Sequence, residues 1–126
     1  MHEFSVMSQI VHAILEELKK HDFTGVEAVH LEVGELSFLG EEQLRFAFEV
    51  LGKGTVLEGA ELHLTWERGW VECEKCGYKG PQEKIELEEH FYVPSFSCPK
   101  CGGPLSIVGG RGCTVKALTL SKEEEN

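Results

Sequence analysis

The sequence has few basic residues and no long apolar run, and each absence excludes a class of function. Twelve lysines and arginines accompany 22 aspartates and glutamates, so the formal net charge is −10. A surface this acidic repels phosphate backbones, and we therefore expect no nucleic-acid partner. The longest apolar stretch is well short of the roughly 20 residues that a membrane-spanning helix needs. With no basic region and apolar run at its start, the chain is predicted to be cytoplasmic and to have no membrane span.

Proline is scarce, and its placement divides the chain. All four prolines and four of the five cysteines fall between about Gly69 and Gly110, where no apolar period is sustained. A segment of about 40 residues is near the size below which metals or disulfides are needed for an independent fold. We predict that residues 69–109 form a small metal-stabilised domain inserted into an αβ domain of residues 1–68 and 110–120. Residues 121–126 are expected to form a flexible acidic tail.

Outside the insertion, the apolar pattern predicts two helices and three strands. Apolar residues recur every three or four positions over residues 4–20 and again over about residues 41–51, as in amphipathic helices. Residues 26–36, 60–66 and 113–120 alternate apolar and polar side chains, as half-buried strands do. The predicted fold class is α+β, with a small sheet of about three strands packed with two helices and an inserted four-cysteine module resembling a zinc ribbon.

The alternation also predicts which strand residues face the core. In the second strand we expect Leu62, Leu64 and Trp66 to point inward. His30 and His63 lie on the polar faces of two strands and would be neighbours if those strands pair. A solvated pair is the favoured interpretation of these histidines, and a metal site is the alternative. Cys113, apart from the other cysteines, is expected to be a small buried hydrophobe.

Four cysteines form two Cys-x2-Cys units. The units read CEKCG and CPKCGG, and their cysteines are Cys73, Cys76, Cys98 and Cys101. One tight turn can direct both sulfurs of a unit at one ion, and two units supply the four thiolates that tetrahedral zinc prefers. Gly77 and Gly102 follow the units and can adopt the positive φ that lets the chain wrap a metal. Because four protein ligands leave no open position, we predict a structural Zn(II).

The histidine at position two places three nitrogen donors together at the amino terminus. The Met1 amine, the deprotonated His2 amide and the His2 Nδ1 can close fused five- and six-membered chelate rings in one plane. Displacing an amide proton favours Ni(II) or Cu(II) over Zn(II). The fourth position could be filled by the Glu3 amide or carboxylate, or by a remote histidine, for which His90 is preferred. An ordinary surface histidine is the alternative interpretation of His2.

Several segments together resemble the HypA/HybF nickel metallochaperones of nickel-iron hydrogenase maturation. They are MHE at the start, VEAVHLEVGELS, LRFAFEVLGKGTVLEGAELHL and the two cysteine units, in the same order over nearly the whole chain. The resemblance implies that Met1, His2 and Glu3 bind the transported Ni(II). His90, in EEHFYVP, is similar to a histidine that some members bring to nickel. The four paired cysteines match the zinc ligands of the family.

The resemblance further implies a carrier that is not an enzyme. Its expected partners are a HypB-type GTPase and the hydrogenase large subunit precursor, and some members of the family also serve urease. Two alternative functions are a zinc-ribbon module that binds nucleic acid or protein, and a zinc hydrolase. The acidic charge disfavours binding to nucleic acid, and a hydrolase needs an open coordination position on its zinc. Neither alternative explains the first three residues.

Overall fold

The computed structural model describes residues 3–89 and 91–123. Two helices lie in this part of the chain, α1 (Glu3–Leu18) and α2 (Glu41–Gly52). The strands there are β1 (Gly25–Gly34), β2 (Glu61–Glu67), β3 (Trp70–Cys73), β4 (Lys79–Pro81), β5 (Lys84–Glu88), β6 (Phe91–Pro94), β7 (Leu105–Gly109) and β8 (Cys113–Ser121). Neither described helix is long and apolar enough to span a membrane.

These elements form two compact units. The first unit, called the helical unit below, contains residues 3–33, 38–65 and 113–123. The second, called the cysteine unit, contains residues 34–37 and 66–112. The chain passes between the units four times, so neither unit is a continuous stretch of sequence.

The helical unit contains a three-stranded sheet with β1 in the centre. The strand order is β2-β1-β8, and β1 pairs antiparallel with β8. Two register shifts interrupt this pairing, one with Glu27 as the extra residue in β1 and one with Lys116 as the extra residue in β8. A bulge adds an unpaired residue and bends the strand locally. The predicted combination of two helices and about three strands is confirmed.

One apolar core holds the helical unit together. Met7 and Ile14 of α1, Val29 and Leu31 of β1, and Leu44 of α2 are all almost completely buried in it. Removing such a side chain from water contributes about 1.5–3 kcal/mol each. Apolar residues recur every three or four positions in the helices and every second position in β1, and this spacing therefore places them on the faces that pack together.

The prediction for the end of β2 was wrong. Leu62 is buried and Leu64 packs partly against the core, but Trp66 is 46% exposed. Because β2 is an edge strand of its sheet, side chains near its end have neighbours on one side only. An alternating pattern predicts the face on which Trp66 lies, but it does not show how far the core extends along the strand.

The cysteine unit has little apolar core. Its sheet has the order β4-β3-β7 with antiparallel pairs, and β5 and β6 form a separate two-stranded ribbon. The buried apolar residues in the described part of this unit are few: Leu36, Val71, Cys73 and Cys98. Gln82 is also buried, and its Nε2 donates to the carbonyl oxygens of Glu83 and Ser95 at the base of the ribbon.

Candidate metal centre

Four cysteine sulfurs converge in the cysteine unit. The Sγ atoms of Cys73, Cys76, Cys98 and Cys101 all lie within 4.8 Å of one another. The Sγ atoms of Cys73 and Cys101 are 3.5 Å apart, and those of Cys76 and Cys98 are 3.6 Å apart. Tetrahedral zinc with bonds of about 2.3 Å places its sulfurs about 3.8 Å apart. The cluster has the donor type, number and spacing that Zn(II) requires.

Each cysteine pair is held by the same backbone turn. In the first turn, Cys73 N–H donates to the Tyr78 carbonyl at 2.7 Å, and Gly77 N–H donates to the Cys73 carbonyl at 3.1 Å. In the second, Cys98 N–H donates to the Gly103 carbonyl at 2.8 Å, and Gly102 N–H donates to the Cys98 carbonyl at 2.9 Å. The two Cys-x2-Cys segments therefore fold alike, and each directs both of its sulfurs towards the other segment.

The predicted glycine conformations are confirmed in both turns. Gly77 has φ of 77° and Gly102 has φ of 74°. A left-handed backbone costs an L-residue roughly 1–2 kcal/mol, whereas glycine adopts it freely. The glycine after each cysteine pair thus allows the chain to reverse around the sulfurs.

Backbone N–H groups also point at the sulfurs, which the sequence analysis did not predict. Lys100 N–H donates to Cys98 Sγ and Gly103 N–H donates to Cys101 Sγ, both at 3.4 Å. Such donors stabilise a thiolate more than a thiol. The Cys-x2-Cys spacing could have suggested these bonds, because a turn tight enough to direct two sulfurs also exposes the amides that follow the first cysteine.

The thiols differ in acidity within each close pair. Burial opposes ionisation of Cys98, but N–H groups of Cys101 and Lys100 outweigh it and lower its pKa to about 7. The Tyr78 amide favours the thiolate of Cys76, yet the adjacent Cys98 sulfur and burial raise the Cys76 pKa to about 11. Four adjacent thiolates repel one another, so full ionisation requires a cation among them.

The Cys73 and Cys101 pair shows the same division. The Cys76 amide holds the pKa of Cys73 below its usual value. The Gly103 amide favours the thiolate of Cys101, but the Cys73 sulfur raises the Cys101 pKa overall. In the helical unit, Cys113 is half-buried and its pKa is raised by burial, as expected for a thiol packed among apolar residues.

The residues predicted to bind nickel are only partly described. Met1, His2 and His90 lie outside the described residues. Glu3 is the first residue of α1, and its Oε2 accepts a hydrogen bond from Gly40 N–H at 2.9 Å. Gly40 is the N-cap of α2 and has no side chain to cap that helix. The Glu3 carboxylate therefore joins the amino-terminal ends of the two helices, a role that sequence reasoning missed.

Comparison of the sequence with models of known protein families identifies the family of this chain. The model described as hydrogenase/urease nickel incorporation, metallochaperone, hypA matches residues 1–120. The chain belongs to the HypA family. Members of this family are metallochaperones and maturation factors, so the chain is not an enzyme. The family assignment made from the sequence is confirmed.

Individual relatives agree with this membership. The chain is 40% identical over 125 residues to hydrogenase maturation factor HypA of Methanothermobacter thermautotrophicus, covering 98% of this chain and 100% of the relative. It is 38% identical over 130 residues to the factor of the same name from Methanocaldococcus jannaschii, with coverage of 98% and 100%. The chain therefore spans the full length of both relatives.

Solved structures confirm the fold. A solution structure of the Ni metallochaperone HypA from Helicobacter pylori matches with a TM-score of 0.66 at 23% identity, covering 98% of this chain and 100% of that one. A second solution structure, of a protein named HypA, matches with a TM-score of 0.67 at 25% identity and 98% coverage of both chains.

Proposed function

We propose that this chain binds Ni(II) at its amino terminus and delivers it during nickel-iron hydrogenase maturation, with a structural Zn(II) in the cysteine unit. The observation that carries the proposal is the family match, which begins at residue 1 and so includes the MHE segment. The names of the relatives, hydrogenase maturation factor HypA, support hydrogenase as the recipient.

Zinc would be held by the four convergent sulfurs. Cys73, Cys76, Cys98 and Cys101 fit a closed tetrahedral site, because their Sγ atoms lie within 4.8 Å of one another. When bound, Zn(II) supplies the positive charge that lets all four thiols ionise, and it offers no open position for a substrate. The cysteines then join residues 73–78 to residues 98–103, and this cross-link compensates for the small apolar core of the unit.

Nickel would be held by the first three residues. The Met1 amine, the His2 amide and the His2 Nδ1 supply planar nitrogen donors, which Ni(II) accepts readily. Because the Glu3 carboxylate is already bonded to Gly40 N–H, we assign Glu3 a backbone-amide contribution and give its carboxylate a positioning role. The chelating residues then directly precede an ordered helix.

His90 is the proposed further nickel ligand. The strands on either side of it, β5 and β6, pair antiparallel from Lys84↔Pro94 to Glu88↔Phe91. His90 itself lies outside the described residues, and its sequence position between these two strands is what supports the proposal. A ligand on a separate element would let the nickel site open when a recipient takes the metal.

The proposed partners are a HypB-type GTPase and the hydrogenase large subunit precursor, in the cytoplasm. Transfer would proceed by ligand exchange, in which donors of the recipient replace the planar nitrogens one at a time. We assign residues 1–68 and 110–120 to the nickel domain and residues 69–109 to the zinc domain. The tail predicted from residue 121 onward begins too early, because Ser121 is the last residue of β8 and pairs with Gly25.

The decisive experiment is a Ni(II) titration of the zinc-loaded full chain that begins at its native Met1. We expect one nickel per chain with the diamagnetic spectrum of square-planar Ni(II). His2→Ala should weaken binding on the order of a hundredfold, or about 2.7 kcal/mol, because it removes the imidazole that closes one chelate ring. His90→Ala should change the nickel spectrum and leave the zinc in place.

The matched control is His12→Ala, which removes an exposed histidine of α1 from the same end of the chain. It should bind nickel as the parent does. Unchanged nickel binding by His2→Ala would show that the amino-terminal site is wrong, and an unchanged spectrum for His90→Ala would remove His90 from the ligand set.

A further inference from the structure

Two histidines stack on the outer face of the sheet in the helical unit. His30 is on the central strand β1, and His63 is on the neighbouring strand β2. Their ring centroids are 4.9 Å apart, and the ring planes are inclined by only 12°. The strands pair, which was the condition for these histidines to be neighbours, and two imidazoles share a small area of surface.

Each ring is anchored through Nε2. His63 Nε2 lies 3.1 Å from Glu61 Oε2, and a carboxylate can only accept, so Nε2 carries the proton. His30 Nε2 lies 3.0 Å from Thr119 Oγ1 on β8. The Thr119 hydroxyl can accept or donate, and in the tautomer in which His30 Nε2 donates to it, the lone pair of each imidazole is on Nδ1. Within residues 3–89 and 91–123, neither Nδ1 has a hydrogen-bond partner.

The hydrogen bonds at Nε2 resemble those that orient metal-binding histidines. A ligating histidine usually donates its other N–H to a carboxylate, hydroxyl, carbonyl or water, which selects the tautomer and orients the ring. Glu61 accepts in this way from His63, and the Thr119 hydroxyl lies where it can accept from His30. Parallel rings do not yet converge on one ion, but His63 has half of its side-chain surface exposed and can turn towards a cation held by His30.

We propose that His30 and His63 form an exposed site for a borderline divalent cation, for which Ni(II) is the probe. Imidazole nitrogen is a preferred ligand of Ni(II), Cu(II) and Zn(II) and a poor one for Mg(II) or Ca(II). The negative charge of Glu61 and the net charge of −10 attract cations to this face. Water completes the coordination, because the site lies on an open sheet surface.

The site is independent of the amino-terminal chelate and has a different spectroscopic signature. Two neutral imidazoles with water ligands form a weak-field, six-coordinate and therefore paramagnetic Ni(II) centre. A planar chelate with a deprotonated amide gives diamagnetic Ni(II). The two proposals can therefore fail separately.

The test uses the zinc-loaded full chain with an acetylated amino terminus, which removes the amine donor of the terminal chelate. Ni(II) is added while amide signals are followed by two-dimensional NMR. We expect paramagnetic broadening centred on residues 29–31 of β1 and 62–64 of β2. His63→Ala and, separately, His30→Ala should abolish this broadening and weaken the corresponding binding on the order of tenfold or more.

His21→Ala is the matched control, because His21 is also exposed and its Nε2 lies 3.3 Å from Glu17 Oε1, but it belongs to no stacked pair. Broadening of β1 and β2 should persist in this variant. His63→Gln provides a second variant of similar size, and amide spectra recorded without nickel establish that each variant is folded. Broadening that survives both His63 variants, or its absence from the parent at millimolar nickel, would overturn the proposal.

Discussion

Gly77 and Gly102 each follow a cysteine pair in the left-handed backbone region, with φ of 77° and 74°. A Cβ added at either glycine would have no atom within 4 Å, so a substitution there acts through the backbone alone. Because the same turns direct the four sulfurs, the strain of a left-handed L-residue would act directly on metal binding. At the scale of single residues, these glycines connect backbone conformation to the proposed zinc site.

Gly77→Ala should weaken zinc binding about fivefold, which corresponds to the roughly 1 kcal/mol cost of a left-handed alanine. Competition with a chromogenic chelator measures this affinity. Gly54→Ala is the control, because Gly54 has φ of 76° and equally open space but lies in the helical unit. Gly54→Ala should lower stability by a similar amount and leave zinc affinity unchanged. Equal zinc affinities for Gly77→Ala and the parent would refute the argument.

The backbone N–H of Gly40, the N-cap residue of helix α2, is bonded by a side chain of helix α1. Gly40 has an extended backbone, with φ of −89° and ψ of 138°, and provides no side-chain acceptor. The Glu3 carboxylate of α1 accepts the Gly40 N–H and places negative charge at the positive end of the helix dipole. At the scale of elements, one side chain thus links two helix ends, and it belongs to the residue that follows the proposed ligands Met1 and His2 in the sequence.

Glu3→Ala should lower the free energy of unfolding by about 1 kcal/mol, because the partly buried Gly40 N–H loses its charged acceptor. Glu3→Gln retains an oxygen acceptor and should lose less. Urea denaturation followed by circular dichroism measures both changes. If the carboxylate positions the nickel ligands without binding the metal, Glu3→Gln should also keep the diamagnetic nickel spectrum of the parent. A changed spectrum in Glu3→Gln would instead assign the carboxylate to nickel.

The two units differ in what stabilises them. The helical unit has a core drawn from both helices and the sheet, whereas the described cysteine unit buries few apolar residues and contains four clustered thiols. The free energy of metal binding to such a cluster also contributes to the folding free energy of the segment that carries it. At the scale of the whole molecule, the zinc-dependent and zinc-independent parts of the stability should therefore be separable.

Removal of zinc with a strong chelator under reducing conditions should unfold the cysteine unit and leave the helical unit folded. Hydrogen exchange should show lost protection in β3, β4 and β7. Amides at Val29 and Leu31, in the buried centre of β1, should remain protected and serve as the internal control. Simultaneous loss of protection in both units, or full protection of β3 after zinc removal, would contradict this expectation.

Features that depend on neighbouring residues could be predicted from the chain alone. The apolar periods predicted α1, α2 and the strands β1, β2 and β8, because burial of one face requires those spacings in any tertiary context. The Cys-x2-Cys units with a following glycine predicted two tight turns with positive φ, since a turn of that length needs only local geometry. The order of these segments was also sufficient for recognition of the family.

Features that depend on residues far apart in the chain required the folded structure. Local spacing does not show that β1 is the central strand, that Glu3 reaches Gly40, or that His30 stacks on His63. The wrong prediction for Trp66 has the same origin, because its exposure depends on which strands lie beside β2. Periodicity shows which residues share one face of a helix or strand. The pairing of helices and strands determines what covers that face, and only this pairing brings donors from distant segments to one site.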